Sequence, residues 1–335
     1  MKALVTGGGG FLGGVIVRKL VNRADEVRSF SRRSYPKLEK LGVEHIQGDL
    51  ADAETICKAA AGCDVVFHVA AKPGVWGPYE EFHQANVTGT ENVLAACLQN
   101  HVPKLVYTSS PSVVFNGQDM EGVDESVPYP EHFEAHYPKT KAMAEQKVLA
   151  ANSPGLATIS LRPHLIWGPE DNHLVPRILA RGRAGQLRRI GNRECKVDCV
   201  YVDNAADAHL LAADVLAPDS PAAGNAYFIT NDDPIPLWEM VNQILGAGGL
   251  PPVKKIISPG MAYAAGWVLE RVHGLFGLKA EPRMTRFLAR ELSTAHWFDI
   301  SAAKRDLGYE PAISMKEGME ALRAWLMAVE VNCEL

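Results

Sequence analysis

Short apolar runs and amphipathic stretches alternate through the first half of the chain. Residues 65–69, Val-Val-Phe-His-Val, are almost entirely apolar, which is typical of a strand buried on both faces of a sheet. Residues 85–99 instead repeat apolar side chains at helical spacing. This alternation predicts a doubly wound α/β fold, with a parallel sheet covered by helices. The predicted strands are residues 2–6, 26–30, 44–47, 65–69, 104–108 and 158–161, and the predicted helices are residues 12–21, 54–60, 85–99 and 137–150.

The alternation becomes less regular after about residue 165. Helical patterns dominate there, which indicates a smaller, mostly helical part that binds substrate. We therefore expect a sheet domain over residues 1–165 and a substrate-binding part over residues 166–335, with some segments returning to the sheet. The predicted helices of this part are residues 175–183, 205–216, 237–245, 261–275 and 315–328, and its predicted strands are residues 197–202 and 226–229.

Composition narrows the class of protein. Of the 335 residues 47% are hydrophobic and 22% are charged, as in ordinary globular proteins. The net charge of −5 argues against nucleic-acid binding, which normally requires a basic surface. Six cysteines without a signal peptide predict reduced thiols and a cytoplasmic location. Cys195 and Cys199 lie four apart without a second pair of metal ligands, so we expect no metal site.

Residues 6–13 read Thr-Gly-Gly-Gly-Gly-Phe-Leu-Gly and directly follow an apolar run. Glycines let the backbone approach a pyrophosphate, and the N–H groups of the following helix point at the anion. The loop fits the spacing Gly8, Gly10, Gly13 and a wider spacing that begins at Gly7. Its position between a predicted strand and a predicted helix indicates the dinucleotide site of a Rossmann fold.

Tyr137 and Lys141 lie four positions apart in the predicted helix 137–150, so their side chains share one face. A phenol has a pKa of about 10, and a nearby ammonium favours its ionised form. We therefore expect Lys141 to lower the pKa of Tyr137 towards the range that suits acid–base catalysis. Ser110 ends a predicted strand, where its hydroxyl can reach a substrate oxygen. The alternative is a turn in which serine hydroxyls bond the local backbone.

Together these motifs resemble the extended short-chain dehydrogenase/reductase family, which has the wider form of the glycine loop. The chain is most similar to its 3β-hydroxysteroid dehydrogenase/isomerase branch. The resemblance implies an NAD(P)-dependent oxidoreductase that acts on a CH–OH/C=O pair, although the family also includes epimerases and dehydratases. The segments that carry it, besides those above, are residues 49–50, 70–71, 86–90, 107–110, 161–169 and 197–204.

The resemblance also implies roles for the catalytic residues. Tyr137 becomes the general acid/base, and Lys141 holds the nicotinamide ribose. Ser110 hydrogen-bonds the reacting oxygen, with Ser109 and Ser112 as less favoured candidates.

At the cofactor, the resemblance implies that Asp49 accepts the adenine amino group and that Leu50 lies beside the ring. Asn86 is structural or part of a proton relay, and a helix cap or turn residue is an equal alternative. The remaining cofactor contacts implied by the resemblance are Gly7, Gly10, Phe11, Leu12, Gly13, Ala70 and Pro163.

The choice between NADP and NAD depends on the end of the second strand, where an acidic residue binds the ribose of NAD and arginine accommodates the phosphate of NADP. Residues 29–34 read Ser-Phe-Ser-Arg-Arg-Ser, with no acid. Ser31 and Arg32 can donate hydrogen bonds to a phosphate. We therefore expect NADP(H), with NAD(H) as the alternative cofactor. The structural alternative is that these basic residues form a solvated turn without binding a phosphate.

The last third of the chain bears on the substrate. Residues 284–288, 295–301 and 307–309 are similar to a bacterial group of reductases that act in long-chain olefin biosynthesis on a β-keto acid with two alkyl chains. Such a substrate needs an apolar pocket and a cation for its carboxylate. The candidate cations are Arg188, Arg189, Arg193 and Lys196, although solvation at the surface is their more common fate.

Other functions and partners stay open. A dehydrogenase of a sterol 3β-hydroxyl, with or without loss of a 4-carboxylate, is the main alternative, followed by another epimerase or reductase of the family and by a nucleotide-sensing protein without turnover. Residues 261–278 are interpreted as an amphipathic helix packed on its own domain, or as a substrate entry path or membrane contact. The family implies a homodimer through helices 85–99 and 137–150, and association with a membrane or another pathway enzyme is a further possibility.

Overall fold

A seven-stranded parallel sheet forms the centre of the computed structural model, which describes residues 1–333 and the side chains through residue 329. The strands of the structure, in chain order, are β1 (Lys2–Thr6), β2 (Glu26–Ser31), β3 (Glu44–Gln47), β4 (Val65–His68), β5 (Lys104–Thr108), β6 (Met120–Val123), β7 (Ala157–Pro163), β8 (Ile166–Trp167), β9 (Arg189–Ile190), β10 (Lys196–Val197), β11 (Val200–Tyr201), β12 (Ala226–Ile229), β13 (Ile235–Pro236), β14 (Ile256–Ile257) and β15 (His296–Phe298). The central sheet has the order β12-β7-β5-β4-β1-β2-β3.

Helices cover both faces of this sheet and build most of the second half. They are α1 (Phe11–Asn22), α2 (Pro36–Glu39), α3 (Ala53–Ala60), α4 (Tyr79–Phe82), α5 (Gly89–Gln99), α6 (His136–Ala150), α7 (Leu174–Arg183), α8 (Val202–Val215), α9 (Leu237–Ala247), α10 (Pro259–Leu275), α11 (Arg286–Glu291), α12 (Ser301–Leu307) and α13 (Met315–Cys333). A π-helix over His83–Thr88 precedes α5, and a single 3-10 turn spans Pro111–Val113.

The doubly wound sheet predicted from the sequence is confirmed. The chain leaves β1 towards β2 and β3, returns across it to β4, and then continues outwards to β5 and β7. The strand order therefore reverses between β1 and β4, and a ligand binds at such a switch point. The seventh strand, β12, comes from the second half of the chain and pairs with β7 in parallel. A boundary at residue 165 stays a prediction.

One predicted strand, residues 197–202, is wrong. Val197 pairs in β10, whereas Val200 and Tyr201 pair with β8, and α8 begins directly afterwards at Val202. Between the two short strands lies Asp198, whose buried carboxylate accepts the backbone N–H of Phe298 at 2.8 Å. The predicted strand is therefore interrupted at Asp198: Val197 before it belongs to one sheet, and Val200 and Tyr201 after it belong to another.

A buried ion pair fixes α6 to the sheet. The Glu145 carboxylate in α6 accepts hydrogen bonds from Arg162 in β7, the shortest at 2.6 Å, and from Ser160 at 2.8 Å and Tyr129 at 2.7 Å. Although burial acts to raise the pKa of Glu145, the hydrogen bonds and charge of Arg162 bring it below its usual value. The Arg162 guanidinium also lies over the Phe228 ring, 5.2 Å from its centroid. These contacts set the position of the helix that carries Tyr137 and Lys141.

Helix α10 attaches to the protein along a narrow stripe. Ala262 and Gly266 are buried, and a side chain on Gly266 would meet the Thr285 backbone, its Cβ lying 2.6 Å from the carbonyl carbon. One turn further on, Glu270 pairs with Arg286 at 2.6 Å. The apolar residues on the rest of the helix and just after it are exposed: Met261 (64%), Trp267, Val268, Val272, Leu275 (82%), Phe276 (70%) and Leu278. The interpretation of residues 261–278 as a helix packed on its own domain is therefore wrong for most of its apolar side chains.

Among the described residues, none of the helices has both the length and the apolar character to cross a bilayer. The thiols of Cys57, Cys63, Cys97, Cys195 and Cys199 are free. The side chain of Cys333 lies outside the described residues.

Candidate active site

The glycine loop forms a tight cradle between β1 and α1. Gly7 has a φ of +73°, a conformation that side chains disfavour. A Cβ on Gly13 would lie 2.3 Å from the Gly7 carbonyl oxygen, so only glycine fits there. The Gly10 N–H donates to the Gly7 carbonyl at 2.8 Å, and α1 then begins at Phe11. The first-turn N–H groups of Phe11, Leu12 and Gly13 have no partners within the helix. The cradle therefore fits a pyrophosphate, as predicted for this loop.

The chain after β4 closes one side of the cradle. The Ala70 N–H donates to the Thr6 hydroxyl at 3.2 Å, and a Cβ on Gly7 would lie 3.0 Å from the Ala70 Cα. Ala70, one of the predicted cofactor contacts, therefore borders the glycine loop.

The turn after β2 presents two exposed guanidiniums, Arg32 and Arg33. The Gln47 amide donates to the Arg32 carbonyl at 3.0 Å, and the Ser31 hydroxyl donates to the Arg33 carbonyl at 3.1 Å. These bonds hold the backbone of the turn and leave both guanidiniums at the surface.

The segment after β3 contains the predicted adenine contacts. The exposed Asp49 carboxylate accepts the Ala51 N–H at 2.9 Å, and the Leu50 carbonyl accepts the Asn92 amide at 2.7 Å. The Leu50 side chain packs on Gly89, where a Cβ would lie 2.9 Å from the Leu50 Cβ. At the end of β7, Pro163 is buried beside Ile229 of β12.

Tyr137 and Ser110 line the same cavity, and the Ser110 hydroxyl lies close enough to the phenol to act on its pKa. Ser110 also accepts the Ser112 N–H at 3.2 Å, so the turn predicted as an alternative coexists with the contact to Tyr137. Burial raises the pKa of Tyr137 to about 12, although the nearby Ser110 hydroxyl acts to lower it. At neutral pH the phenol therefore keeps its proton and can donate it. The hydroxyl of Ser109 is buried, and Ser109 is not among the described residues of the cavity wall.

The prediction that Lys141 lowers the pKa of Tyr137 is wrong in this structure. The Lys141 ammonium donates to the Thr108 carbonyl at 2.6 Å and lies 4.1 Å from the centroid of the Tyr107 ring. Burial lowers the pKa of Lys141 to about 7, against the opposing charge of Glu145. A buried ammonium with such a pKa is easily discharged, and a polar or anionic neighbour would favour its charged form.

Asn86 lies inside the π-helix and acts as a bridge. Its side-chain oxygen accepts the Lys72 N–H at 2.7 Å, and its amide donates to the Lys72 carbonyl at 3.2 Å and to the Thr140 hydroxyl at 3.1 Å. The amide thus connects the loop after β4 to α6, one residue from Lys141. The interpretation of Asn86 as a helix cap or turn residue is wrong, and a structural role fits the geometry.

The cavity beside Tyr137 measures about 440 Å³, within the range of small-molecule sites. One part of its wall is polar and holds the tyrosine, two serines, histidines, an arginine and two glutamates. The residues that line it are Pro73, Gly74, Val75, Ser110, Pro111, Ser112, Phe115, Met120, Tyr137, His164, Leu165, His173, Arg177, Glu281, Phe287, Glu291, His296 and Phe298.

None of the four cations considered for a substrate carboxylate lies in this wall. The Arg188 guanidinium donates to backbone carbonyls of its own loop, and Arg189 does the same. Arg193 pairs with Asp119 at 2.5 Å, and Lys196 is exposed. The guanidinium that does line the cavity belongs to Arg177 in α7, which forms an ion pair with Glu281.

A hydrogen-bonded row of side chains supports the opposite wall. Asp198 accepts from His164 at 2.7 Å, His164 contacts His296 at 3.2 Å, and His296 donates to the Glu291 backbone carbonyl at 2.9 Å. Burial lowers the pKa of His296 to about 3, so His296 is neutral at physiological pH. Burial also raises the pKa of Glu291 to about 7, although Arg177 opposes this.

Sequence reasoning did not find Arg177, Glu281 or Glu291. Arg177 comes from α7, more than a hundred residues before Glu281 in the loop before α11 and Glu291 at the end of α11. No spacing connects them. The one available signal was the periodicity of α7, in which Arg177 lies between the buried Val175 and Ile178.

Residues 4–258 match the model of the 3-beta hydroxysteroid dehydrogenase/isomerase family. The chain belongs to this family. It is also 52% identical to the 2-alkyl-3-oxoalkanoate reductase of Stenotrophomonas maltophilia, over 97% of this chain and 99% of that protein. It is 35% identical to the decarboxylating sterol-4-alpha-carboxylate 3-dehydrogenase of Mus musculus, over 95% and 89%. Its membership confirms the family inferred from the motifs, and the chain is an NAD(P)-dependent oxidoreductase.

Solved structures agree on the fold of this family member. The crystal structure of gox2253 superposes with a TM-score of 0.79 at 28% identity, covering 98% of both chains. The complex of MoeE5 with UDP-glucose and NAD superposes with a TM-score of 0.76 at 24% identity, covering 98% of this chain and 100% of that one.

Proposed function

We propose that this protein reduces the 3-oxo group of long-chain 2-alkyl-3-oxoalkanoates with NADPH. The observation that carries the proposal is the cavity, where a protonated phenol with its serine partner shares a partly apolar wall with a guanidinium. In a 3-oxo acid the ketone oxygen would meet the phenol and the serine, the alkyl chains would meet the apolar wall, and the carboxylate would meet the guanidinium. The two most similar relatives described, at 52% and 49% identity, carry the name of this activity.

The residues of the chain would divide the reaction between them. The bound nicotinamide cofactor supplies the hydride that reaches C3 of the substrate. Tyr137 donates its proton to the O3 oxygen, and Ser110 holds that oxygen with a hydrogen bond. Lys141, freed from the Thr108 carbonyl, holds the ribose of the cofactor, as the family resemblance implies. The first turn of α1, with Ala70 beside it, holds the pyrophosphate.

Preference for NADPH rests on the turn after β2. Arg32 and Arg33 supply positive charge there, and residues 29–34 contain no carboxylate that would repel a 2′-phosphate. Asp49 and Leu50 lie at the end of the neighbouring strand, where the adenine would sit.

Cofactor oxidation, measured with NADPH and NADH, tests the proposal. Each cofactor is combined with a long-chain 2-alkyl-3-oxo acid and with a 3-oxosteroid. We expect the highest kcat/KM for NADPH with the acid. Higher kcat/KM for the steroid would instead support the sterol dehydrogenase that relatives at 34–37% identity represent, and it would overturn the proposed substrate.

We also propose that α10 places the protein on an anionic membrane. Its exposed apolar residues are flanked by the exposed side chains of Lys254, Lys255, Arg271 and Arg283, for which the described residues provide no ion-pair partner. Apolar area combined with basic charge is the composition that binds anionic lipid surfaces. The patch also borders the cavity, because the Trp76 indole donates to the Leu278 carbonyl at 3.0 Å and Val75 lines the cavity wall.

Co-sedimentation with vesicles tests the membrane contact. We expect binding to vesicles that contain phosphatidylglycerol and little binding to phosphatidylcholine alone. The double variant Leu275→Ser/Phe276→Ser should lose binding, whereas Met327→Ser, which changes an exposed apolar residue of α13, should keep it. Equal binding by all three proteins would contradict the proposal.

A further inference from the structure

Charge is unevenly distributed in the cavity that holds Tyr137. Arg177 contributes the one guanidinium or ammonium among the described lining residues, and Glu281 and Glu291 contribute two carboxyl groups. Arg177 is 39% exposed in its side chain, and burial lowers the pKa of its guanidinium. A half-buried cation of this kind gains more from an anionic partner than a cation at the surface does.

The partner that Arg177 now has is a removable one. Glu281 lies in the exposed loop between α10 and α11, and its side chain is 30% exposed. Arg177, by contrast, is anchored in α7, whose buried Val175, Ile178 and Leu179 pack into the core of the second half. An incoming carboxylate can therefore displace the loop glutamate and leave the arginine in place.

The second carboxyl group connects the cation to the reacting centre. Glu291 acts electrostatically on both Arg177 and Tyr137. The guanidinium, the phenol and this carboxyl group all line one cavity of about 440 Å³. In a 3-oxo acid, a single carbon separates the ketone from the carboxylate, so the two recognition groups must lie close together.

We propose that Arg177 binds the carboxylate of the substrate and that Glu281 occupies the guanidinium until the substrate displaces it. This inference rests on the proposed function, since it assigns the acid group of a 2-alkyl-3-oxo acid. A bidentate pair of guanidinium and carboxylate would fix the acid end of the molecule while Tyr137 and Ser110 hold O3. The alkyl chains then lie along Val75, Phe115, Met120 and Phe287.

The test uses the reverse reaction, because 2-alkyl-3-hydroxy acids are stable. Oxidation of a long-chain 2-alkyl-3-hydroxy acid by NADP+ is compared with oxidation of its methyl ester, which lacks the charge. In Arg177→Gln we expect kcat/KM for the acid to fall about 100-fold, mostly through KM, because the carboxylate loses the one guanidinium or ammonium among the described lining residues. The value for the ester should change less than about 3-fold, within the effect of a neutral contact.

Three further variants separate recognition of the carboxylate from a structural role of Arg177. Arg181→Gln removes a half-buried guanidinium one turn along α7 and should keep the ratio of acid to ester. Glu281→Gln removes the competitor, so kcat/KM for the acid should rise severalfold, opposite in sign to Arg177→Gln. If Arg177 served only to hold the loop, Arg177→Gln and Glu281→Gln would each lower kcat/KM for the acid and for the ester by the same factor. That result would overturn the inference. Arg177→Lys should restore part of the loss.

Failure of the proposed function gives a different result. If the wild type oxidises a 3β-hydroxysteroid and not the hydroxy acid, the proposed function fails. The hydroxy acid is then tested as a competitive inhibitor of steroid oxidation. A Ki that weakens about 100-fold in Arg177→Gln would still support the carboxylate site, whereas an unchanged Ki, or no inhibition of the wild type, would overturn it.

Discussion

The cofactor cradle and the substrate cavity of this protein are built in different ways. The cradle is formed by neighbours in sequence: Gly7 and Gly13 shape one loop, and the first turn of α1 follows directly. The cavity collects Tyr137, Arg177 and Glu291 from three helices, and each is placed by the packing of its own element. Backbone geometry dictates the first site, whereas tertiary packing dictates the second. The local site can therefore be identified from spacing, and the assembled one cannot.

The largest effect expected from breaking this comparison is at Tyr137, where the two sites meet. Tyr137→Phe removes the proton donor, and we expect kcat to fall by about 10²- to 10⁴-fold, the usual contribution of a general acid. Binding of NADPH, measured by fluorescence, should stay within a few-fold of the wild type, because the cradle is unchanged. Reduction of a 2-alkyl-3-oxo acid at the normal rate by this variant would contradict the catalytic assignment.

The second prediction concerns the ion pair that holds α6. Glu145→Gln leaves the Arg162 guanidinium buried without a counter-charge, and we expect the free energy of unfolding to fall by about 3–5 kcal/mol. The matched control is Glu91→Gln. Glu91 is the exposed ion-pair partner of Lys147, which lies on α6 like Glu145, and its loss should cost at most about 1 kcal/mol. Urea denaturation measures both. Equal losses would mean that burial of the pair does not matter.

The pKa of Glu145 also sets a pH dependence for stability. Because the folded-state pKa lies below the value of the unfolded chain, the stabilisation is present above the unfolded pKa and is lost as the pH falls through the folded pKa. Glu145→Gln should therefore lose less stability on acidification than the wild type does.

A smaller effect is expected at the ribose end of the cradle. Arg32→Asp replaces a guanidinium that would donate hydrogen bonds to the 2′-phosphate by a carboxylate. We expect the KM for NADPH to rise by about 10- to 100-fold, which corresponds to the loss of one or two charge-assisted hydrogen bonds. The KM for NADH should change little or fall. Unchanged KM for NADPH would assign the 2′-phosphate to other residues, with Arg33→Asp as the next variant to measure.

The smallest predicted effect is at Glu291 in the assembled cavity. Its carboxyl group is mostly protonated below pH 7 and ionised above it, because burial raises its pKa to about 7. The ionised form competes for Arg177 and adds negative charge beside Tyr137 and Glu281. The KM for the 3-oxo acid should therefore rise a few-fold between about pH 6 and pH 8 in the wild type. In Glu291→Gln the profile should be flat, and an identical rise in the variant would exclude Glu291 as its cause.

The sequence predicted the sheet well, since most of its strands are short apolar runs that end at a turn. It also predicted a glycine loop between β1 and α1, where spacing fixes the backbone geometry, whereas the cofactor contacts of that loop stay a prediction. It erred where one residue serves two elements, as at Asp198, which divides a predicted strand because its carboxylate bonds His164 and the backbone of Phe298. It did not identify Arg177 as the cation of the substrate cavity. The candidates Arg188, Arg189 and Arg193 instead contact backbone carbonyls of their own loop or exposed acids.

The prediction for Lys141 failed for a related reason. Helical spacing brings Lys141 and Tyr137 onto one face, but the buried carbonyl of Thr108 offers the ammonium a closer partner. Spacing determines which groups can meet, and the surrounding acceptors determine which contact forms.

The narrow attachment of α10 has a consequence for hydrogen exchange. Ala262, Gly266 and Glu270 are spaced four apart and form one stripe of contact, so separating this helix from the protein exposes little additional apolar surface. Local opening should therefore cost far less than global unfolding, and the amide hydrogens of α10 should exchange with solvent much faster than those of α6. The Trp76–Leu278 hydrogen bond ties the end of this segment to the cavity border. A helix that opens at low cost, with its apolar side chains already outside, gives a two-tailed lipid a way into the cavity without unfolding the sheet.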